Sequence, residues 1–227
     1  MIRSRFLFSF LLLLISIIPF SLKAQYTDFK MRLGLEVEKE IIDNLDAHIE
    51  LEQRYMHNIS SYDKTFVEPS LSYNISKHFS TGIIWRIQIR ENNSYKMFSE
   101  QRYSAFVKYD VSYLDFKLKL RSILQYGFDD ITNAGFSVDQ KLINRNSVQV
   151  DYDWFGKKIK PGIKFELFHH LNHPNGSILN QWRLKAGASY LLSKHSNIDV
   201  YYMFENEFNV VKPVDAHIIG VKYGYKF

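Results

Sequence analysis

AHIIGVKYGYKF, residues Ala216 to Phe227, closes the chain. From Ile219 the odd positions are Ile219, Val221, Tyr223, Tyr225 and Phe227, and the even ones are Gly220, Lys222, Gly224 and Lys226. Side chains along a strand point alternately to its two faces, so this spacing makes one apolar face and one polar face.

The same alternation recurs upstream. Phe29, Met31, Leu33, Leu35 and Val37 interleave with Lys30, Arg32, Gly34, Glu36 and Glu38. Phe79, Ile83, Trp85, Ile87 and Ile89 interleave with Ser80, Gly82, Arg86, Gln88 and Arg90, and Trp182, Leu184, Ala186, Ala188 and Tyr190 with Arg183, Lys185, Gly187 and Ser189. Runs of this kind fill the chain with no helical period between them, which predicts a single all-β domain. Short turns are expected near 43–46, 75–78, 112–115, 155–158 and 193–197. Longer polar loops are expected at 57–64, 91–101, 128–141, 170–180 and 205–215. That alternation of short and long connections suits an antiparallel transmembrane β-barrel of about 10–12 strands.

The amino terminus reads as a separate piece. Met1–Arg5 is basic, Phe6–Phe20 is apolar, and Ala24 offers a small residue for cleavage, so residues 1–24 are expected to be a signal peptide and 25–227 the barrel. Losing Arg3, Arg5 and Lys23 takes the formal charge from +5 to +2, which removes the main support for a nucleic-acid partner. There is no cysteine, which excludes a lipid-modified cysteine anchor, disulfide staples and thiolate metal sites.

Alternation alone does not say which face points inward; a soluble periplasmic β-barrel binding protein would show the same pattern with its apolar side inside. Bulky Phe, Tyr and Trp crowd the apolar set, and aromatics gather beside the short turns at Tyr73, Phe79, Tyr113, Phe116, Trp154, Tyr190, Tyr225 and Phe227, as at a membrane interface. The alternating, Phe-terminated last strand resembles the signal by which Gram-negative cells recognise barrels for insertion. The expected address is therefore the outer membrane, with its lipids and the barrel-insertion machinery as partners. Two features sit awkwardly. Eleven strands are counted where an even number is the rule, which points to an irregular first strand or a misplaced boundary. Pro69 and Pro161 fall inside strands, where they are expected to mark bulges or strand ends.

Several stretches resemble the domain-of-unknown-function family 2490 of outer-membrane proteins. They are Tyr26–Phe29, the Glu-rich hairpin Leu35–Glu40 with Ile49–Tyr55, Gly82–Arg86, Lys160–Phe168 and Arg183–Tyr190. The resemblance implies a barrel and an outer-membrane address, and carries no catalytic residues with it.

For chemistry, the polar faces hold Glu36, Glu38, Glu50, Glu52, Glu68, Asp110, Asp151, Asp153 and Glu166 against Arg32, Arg54, Arg86, Arg90, Lys108, Lys119, Lys164, Arg183 and Lys185. In a small barrel such charges must be paired or hydrated, so an ion-pair network filling the lumen is expected in preference to a selective pore or polar binding cavity. His169, His170 and His173 cluster at one strand's outer end without the compact shell a metal requires, and neither metal nor cofactor is expected. A lipid-modifying enzyme would use a lipid-side Ser or His with a polar partner; Asn146–Ser147, His169 and His217 are the candidates by position. No Ser–His–acid set can be assembled from sequence, and no catalysis is expected. The function expected is that of a barrel with a narrow or closed, charge-lined lumen, serving structure, interaction or small-solute passage.

Overall fold

The computed structural model describes residues 26–91, 97–129, 140–153 and 158–227. The expected signal peptide at 1–24, with Trp154 of the aromatic set, lies outside the described residues. Eleven strands follow one another: β1 (Tyr26–Ile42), β2 (Leu45–Met56), β3 (Ser61–Asn74), β4 (Phe79–Glu91), β5 (Met97–Tyr113) and β6 (Phe116–Asp129). Then come β7 (Lys141–Tyr152), β8 (Ile159–His170), β9 (Ile178–Leu191), β10 (Ser196–Glu207) and β11 (Val214–Lys226). Each pairs antiparallel with its sequence neighbours, and β1 meets β11 to close the barrel.

The closing pair resolves the parity. Consecutive antiparallel strands reverse direction each time, so with eleven of them the first and last run the same way. β1 and β11 are accordingly parallel, in register from Tyr26↔Val214 to Glu38↔Lys226. Neither a misplaced boundary nor an irregular first strand is involved. The seam is tied by Lys222 Nζ to Glu36 Oε2 at 2.7 Å, by the Lys226–Glu38 pair and by the Phe227 amide donating to the Glu38 carbonyl at 3.0 Å.

The apolar face points outward. Leu33, Leu35, Ile49, Ile83, Trp85, Val107, Leu124, Phe165, Val200 and Ile219 are all exposed, whereas Arg32, Glu52, Arg86, Gln88, Glu166 and Glu205 are buried. A soluble barrel would be built the other way round. Tyr73, Phe79, Tyr113, Phe116, Tyr190, Tyr225 and Phe227 project outward near the end of the barrel that carries the short turns.

Strands run further than expected. β3 begins at Ser61, so the connection after β2 is the tight turn 57–60, and β5 and β9 likewise start inside the expected loops. Polar residues beyond an apolar band do not stop a ladder; only the loss of hydrogen bonds does. The 57–60 turn shows what permits it. His57, Asn58 and Ile59 all have positive φ (53°, 56° and 66°). The buried Asp28 carboxylate on β1 accepts the His57 and Asn58 amides at 3.2 and 2.9 Å, and the Phe29 carbonyl accepts the Ile59 amide at 3.1 Å.

The prolines behave differently from each other. Pro161 stands at a strand end on one side, where the β7–β8 ladder starts only at Gly162. Pro69 marks neither a bulge nor an end. The β3–β4 pairing runs Val67↔Ile87 and resumes at Ser70↔Ile84 in the same register, so Pro69 interrupts the ladder without shifting it. Proline lacks the amide that would bond there. The bulges fall elsewhere, at Glu40/Ile42, Arg54/Tyr55 and Phe168/His169.

Candidate functional site

Inside the barrel each expected inward acid has a basic partner. Glu52 takes Arg54 Nε at 2.5 Å, Glu68 takes Arg86 Nε at 2.5 Å, and Glu166 takes Arg145 at 2.5 Å and Lys164 at 2.7 Å. Asp151 holds Lys119 at 2.6 Å, Asp110 holds Lys108 at 3.2 Å, and Asp153 at the rim holds Lys160 at 3.2 Å. Lys222 bridges Glu36 and Glu50 at 2.7 and 3.6 Å. Glu205, absent from the expected set, gathers Arg183 at 2.6 Å with Arg32 and Lys30 at 3.7 Å.

Among the described residues four aromatics share this interior, and the polar phase hid them. Phe66, Phe106 and Phe168 are buried, with Tyr201 close behind at 8% exposure. Cations lie over their rings. Arg86 is 3.7 Å and Arg54 5.0 Å from the Phe66 centroid, Arg121 is 4.2 Å from Phe106, and Arg183 is 4.5 Å from Phe168. A desolvated contact of this type is worth about 2 kcal/mol. The sequence carries a faint signal for them: Phe66–Val67, Phe106–Val107, Leu167–Phe168 and Tyr201–Tyr202 are adjacent apolar pairs within alternating runs. One member of each must face inward.

Among the described residues three cavities line the charged interior, one of them, about 380 Å³, against Lys119, Asp151, Lys185, Asp199 and Tyr201. A cavity of about 460 Å³ on the short-turn side is lined by Glu36, Glu50, Glu68, Lys108, Arg121 and Lys222. On the opposite side a smaller one, about 170 Å³, is lined by Lys64, Gln88, Arg90, Glu100, Arg102 and Gln125. On each strand from β3 to β6 one inward residue stands between the two linings: Phe66 between Lys64 and Glu68, Arg86 between Ile84 and Gln88, Ser104 between Arg102 and Phe106, and Ile123 between Arg121 and Gln125. These are among the most buried side chains of the barrel. They form a septum.

In the larger cavity Glu36, His48 and Glu50 offer ligand atoms within 4.8 Å of one another. Lys222 Nζ already sits against both carboxylates, so the centre holds a cation of the protein's own. The histidines singled out from sequence do not converge on a shell. His170 is buried and edge-on to His173 at 5.2 Å between ring centroids, while His169, one residue earlier, faces the other way. His217 takes part in the outer aromatic surface, with the Tyr202 hydroxyl 2.5 Å from its Nδ1 and the Phe204 ring at 5.2 Å. Asn146 and Ser147 lie on opposite faces, Asn146 exposed outside and Ser147 buried inside, so they cannot act together.

The outer face instead joins a residue that sequence spacing did not find. Ser177, just before β9, places its Oγ 2.5 Å from His169 Nε2. Asn144 is the register partner of His169 on β7. Asn144 donates to Ser122 Oγ at 3.3 Å and accepts from Asn146, giving a polar step in an apolar wall. Nothing in linear spacing joins Ser177 to His169, because a connection and a bulge intervene.

A closed barrel with its apolar side outward and its charges inside is the architecture of membrane-spanning β-barrels. The chain belongs to the family described as protein of unknown function, DUF2490, whose model matches residues 30–213. Among solved structures it is similar to the beta domain of the Bordetella autotransporter BrkA, with a TM-score of 0.52 at 8% identity over 78% of this chain and 82% of that one. At that identity the likeness carries the fold alone. No curated protein matches the chain.

Proposed function

We propose that this protein is an outer-membrane β-barrel with a closed lumen, working through its outer surface and loops and not as an open aqueous pore. A septum of four buried side chains carries this reading. Phe66, Arg86, Ser104 and Ile123 stand between the cavity of Glu36 and Lys222 and that of Lys64 and Arg102, and Arg86 is held on both sides, by Glu68 at 2.5 Å and by the Phe66 ring at 3.7 Å. The ion pair and the ring contact both hold the guanidinium at this level. Size agrees: water-filled barrels of the porin kind use about sixteen strands or more, and this one has eleven. The outward apolar face and its aromatic rim support the membrane address.

The test has two parts. Closed barrels of this class keep their shape in SDS until boiled, so the unheated protein from outer-membrane fractions should migrate apart from the boiled one. In planar bilayers the refolded barrel should show no steady conductance. Recovery in the soluble periplasmic fraction without a heat-dependent shift would defeat the membrane reading, and large steady currents would defeat the closed lumen.

A further inference from the structure

We propose that Ser177 and His169 are the nucleophile and base of a lipid-ester hydrolase site on the outer, lipid-facing rim of the barrel. This rests on the outer-membrane reading above and revises the expectation of a non-catalytic barrel.

Four observations meet there. The first is the contact itself: a serine hydroxyl in hydrogen-bond reach of an imidazole, at 2.5 Å, is the nucleophile–base half of an activated-serine arrangement. Serine alone is a weak nucleophile at neutral pH, and an imidazole that takes its proton as the bond forms overcomes this.

The second is the local backbone. The register shift in the β8–β9 ladder falls at Phe168/His169, where Phe168 pairs with Gln181 but His169 pairs with Leu179. Bulges of this kind re-aim a side chain. Here the bulge brings His169 to the first residue before β9, which is Ser177.

The third is height. β8 starts at Ile159 on the short-turn side and reaches His169 ten residues on. At about 3.3 Å per residue and a tilt of about 40° that is about 25 Å along the barrel axis, the height of the apolar band of a membrane barrel. His169 therefore stands at the outer edge of the hydrocarbon, where the ester bonds of membrane lipids lie.

The fourth is what lies beneath. An outer-surface groove of about 410 Å³ runs below the pair, lined by Leu120, Ser122, Asn146, Val148, Phe165 and Leu167. Its lower part is apolar and suits an acyl chain. At its upper end Ser122 and Asn146 border it, and Asn144, opposite His169 in the ladder and bonded to both, lies one step nearer the rim. The substrate class is a carboxylic ester of a membrane lipid.

The chemistry balances without an added co-reactant other than water. Ser177 Oγ attacks the ester carbonyl carbon as His169 Nε2 takes the hydroxyl proton. The tetrahedral adduct expels the lipid alkoxide, which receives that proton from the imidazolium. Water, deprotonated by the same imidazole, then attacks the acyl-serine carbonyl, and the imidazolium returns the proton to the departing Ser177 Oγ. The products are a fatty acid, the lipid alcohol and free Ser177.

The refolded protein in detergent micelles is treated with a fluorophosphonate probe. In parallel it is incubated with phosphatidylethanolamine vesicles in one arm and lipopolysaccharide in another, reading free fatty acid. A probe adduct on Ser177 and fatty-acid release are expected, and the arm that responds identifies the lipid. Ser177→Ala and His169→Ala should each lower release about 100-fold or more while keeping the heat-dependent gel shift that reports a folded barrel. No adduct at Ser177 with no release in either arm overturns the proposal, as does release that persists in Ser177→Ala. The micelle readout does not depend on cellular address, so a failed outer-membrane placement registers separately, in the fractionation.

Discussion

Two residues show how single side chains hold this barrel. Asp28 is buried on β1 and accepts two amides from a turn whose residues have positive φ. Without it those amides lose a charged acceptor, and a hydrogen bond to a charged group contributes about 1.5–3 kcal/mol, less where water can replace it at the exposed His57 and Asn58. Asp28→Ala should therefore lower the urea midpoint of the refolded barrel by a corresponding amount, and Asp28→Asn should recover part of it. An unchanged midpoint for Asp28→Ala would remove the turn-anchoring role. Gly220 serves Tyr201 instead. A Cβ built on Gly220 would come within 2.0 Å of the Tyr201 ring, which lies flat across that glycine inside the barrel. Tyr201 packs with Met203, Ala216 and Ile218, so it has little room to withdraw. The alternation placed Gly220 on the polar face; that a ring on the neighbouring strand needs the space is visible only once β10 and β11 pair, Tyr201 against Gly220.

At the scale of the element, the last strand now has a defined partner. β11 bonds β10 antiparallel and β1 parallel, so it is the piece that converts an open sheet into a barrel. Its outward aromatic set ends with Phe227 against Tyr225, centroids 4.9 Å apart and edge to face. The Lys226 side chain is 60% exposed where it meets Glu38, and exposed pairs of this sort contribute only about 0.2–1 kcal/mol. If Phe227 is the feature read by the insertion machinery, its deletion should lower outer-membrane levels several-fold while Lys226→Ala leaves them near wild type. Quantitative surface blotting of the two variants decides it, and equal levels would show that the terminal aromatic has no such role. β3 teaches a different lesson about elements. Its proline was legible as an anomaly, yet the ladder tolerates it in register, because the β2 side of the strand keeps Ile49↔Pro69 paired.

For the whole molecule the proposed septum makes the strongest demand. Phe66 and Arg86 stand between two of the interior cavities, with the guanidinium over the ring. Replacing both with alanine removes the ring and the guanidinium together, so no buried charge is stranded except Glu68. The double variant should still form a heat-modifiable barrel and should conduct in planar bilayers where the wild type does not. A folded double variant that stays silent would mean that some other layer closes the lumen.

The class of fold, a strand number of about 10–12 and most of the face assignments were legible in the sequence, because strand periodicity is local and each run declares its own two sides. The sequence also named most of the inward charges, since lipid leaves a charge on a membrane strand no other side to face. Tertiary structure alone decided three things. It made the closing pair parallel, since that follows from joining strands almost two hundred residues apart. It placed Phe66, Phe106, Phe168 and Tyr201 inside, because an aromatic is tolerated on either face and only neighbouring arginines or lysines and glycines make the interior its place. It brought Ser177 to His169 on the outer rim, because that meeting depends on a bulge and a connection, and their geometry is set by hydrogen bonds to other strands.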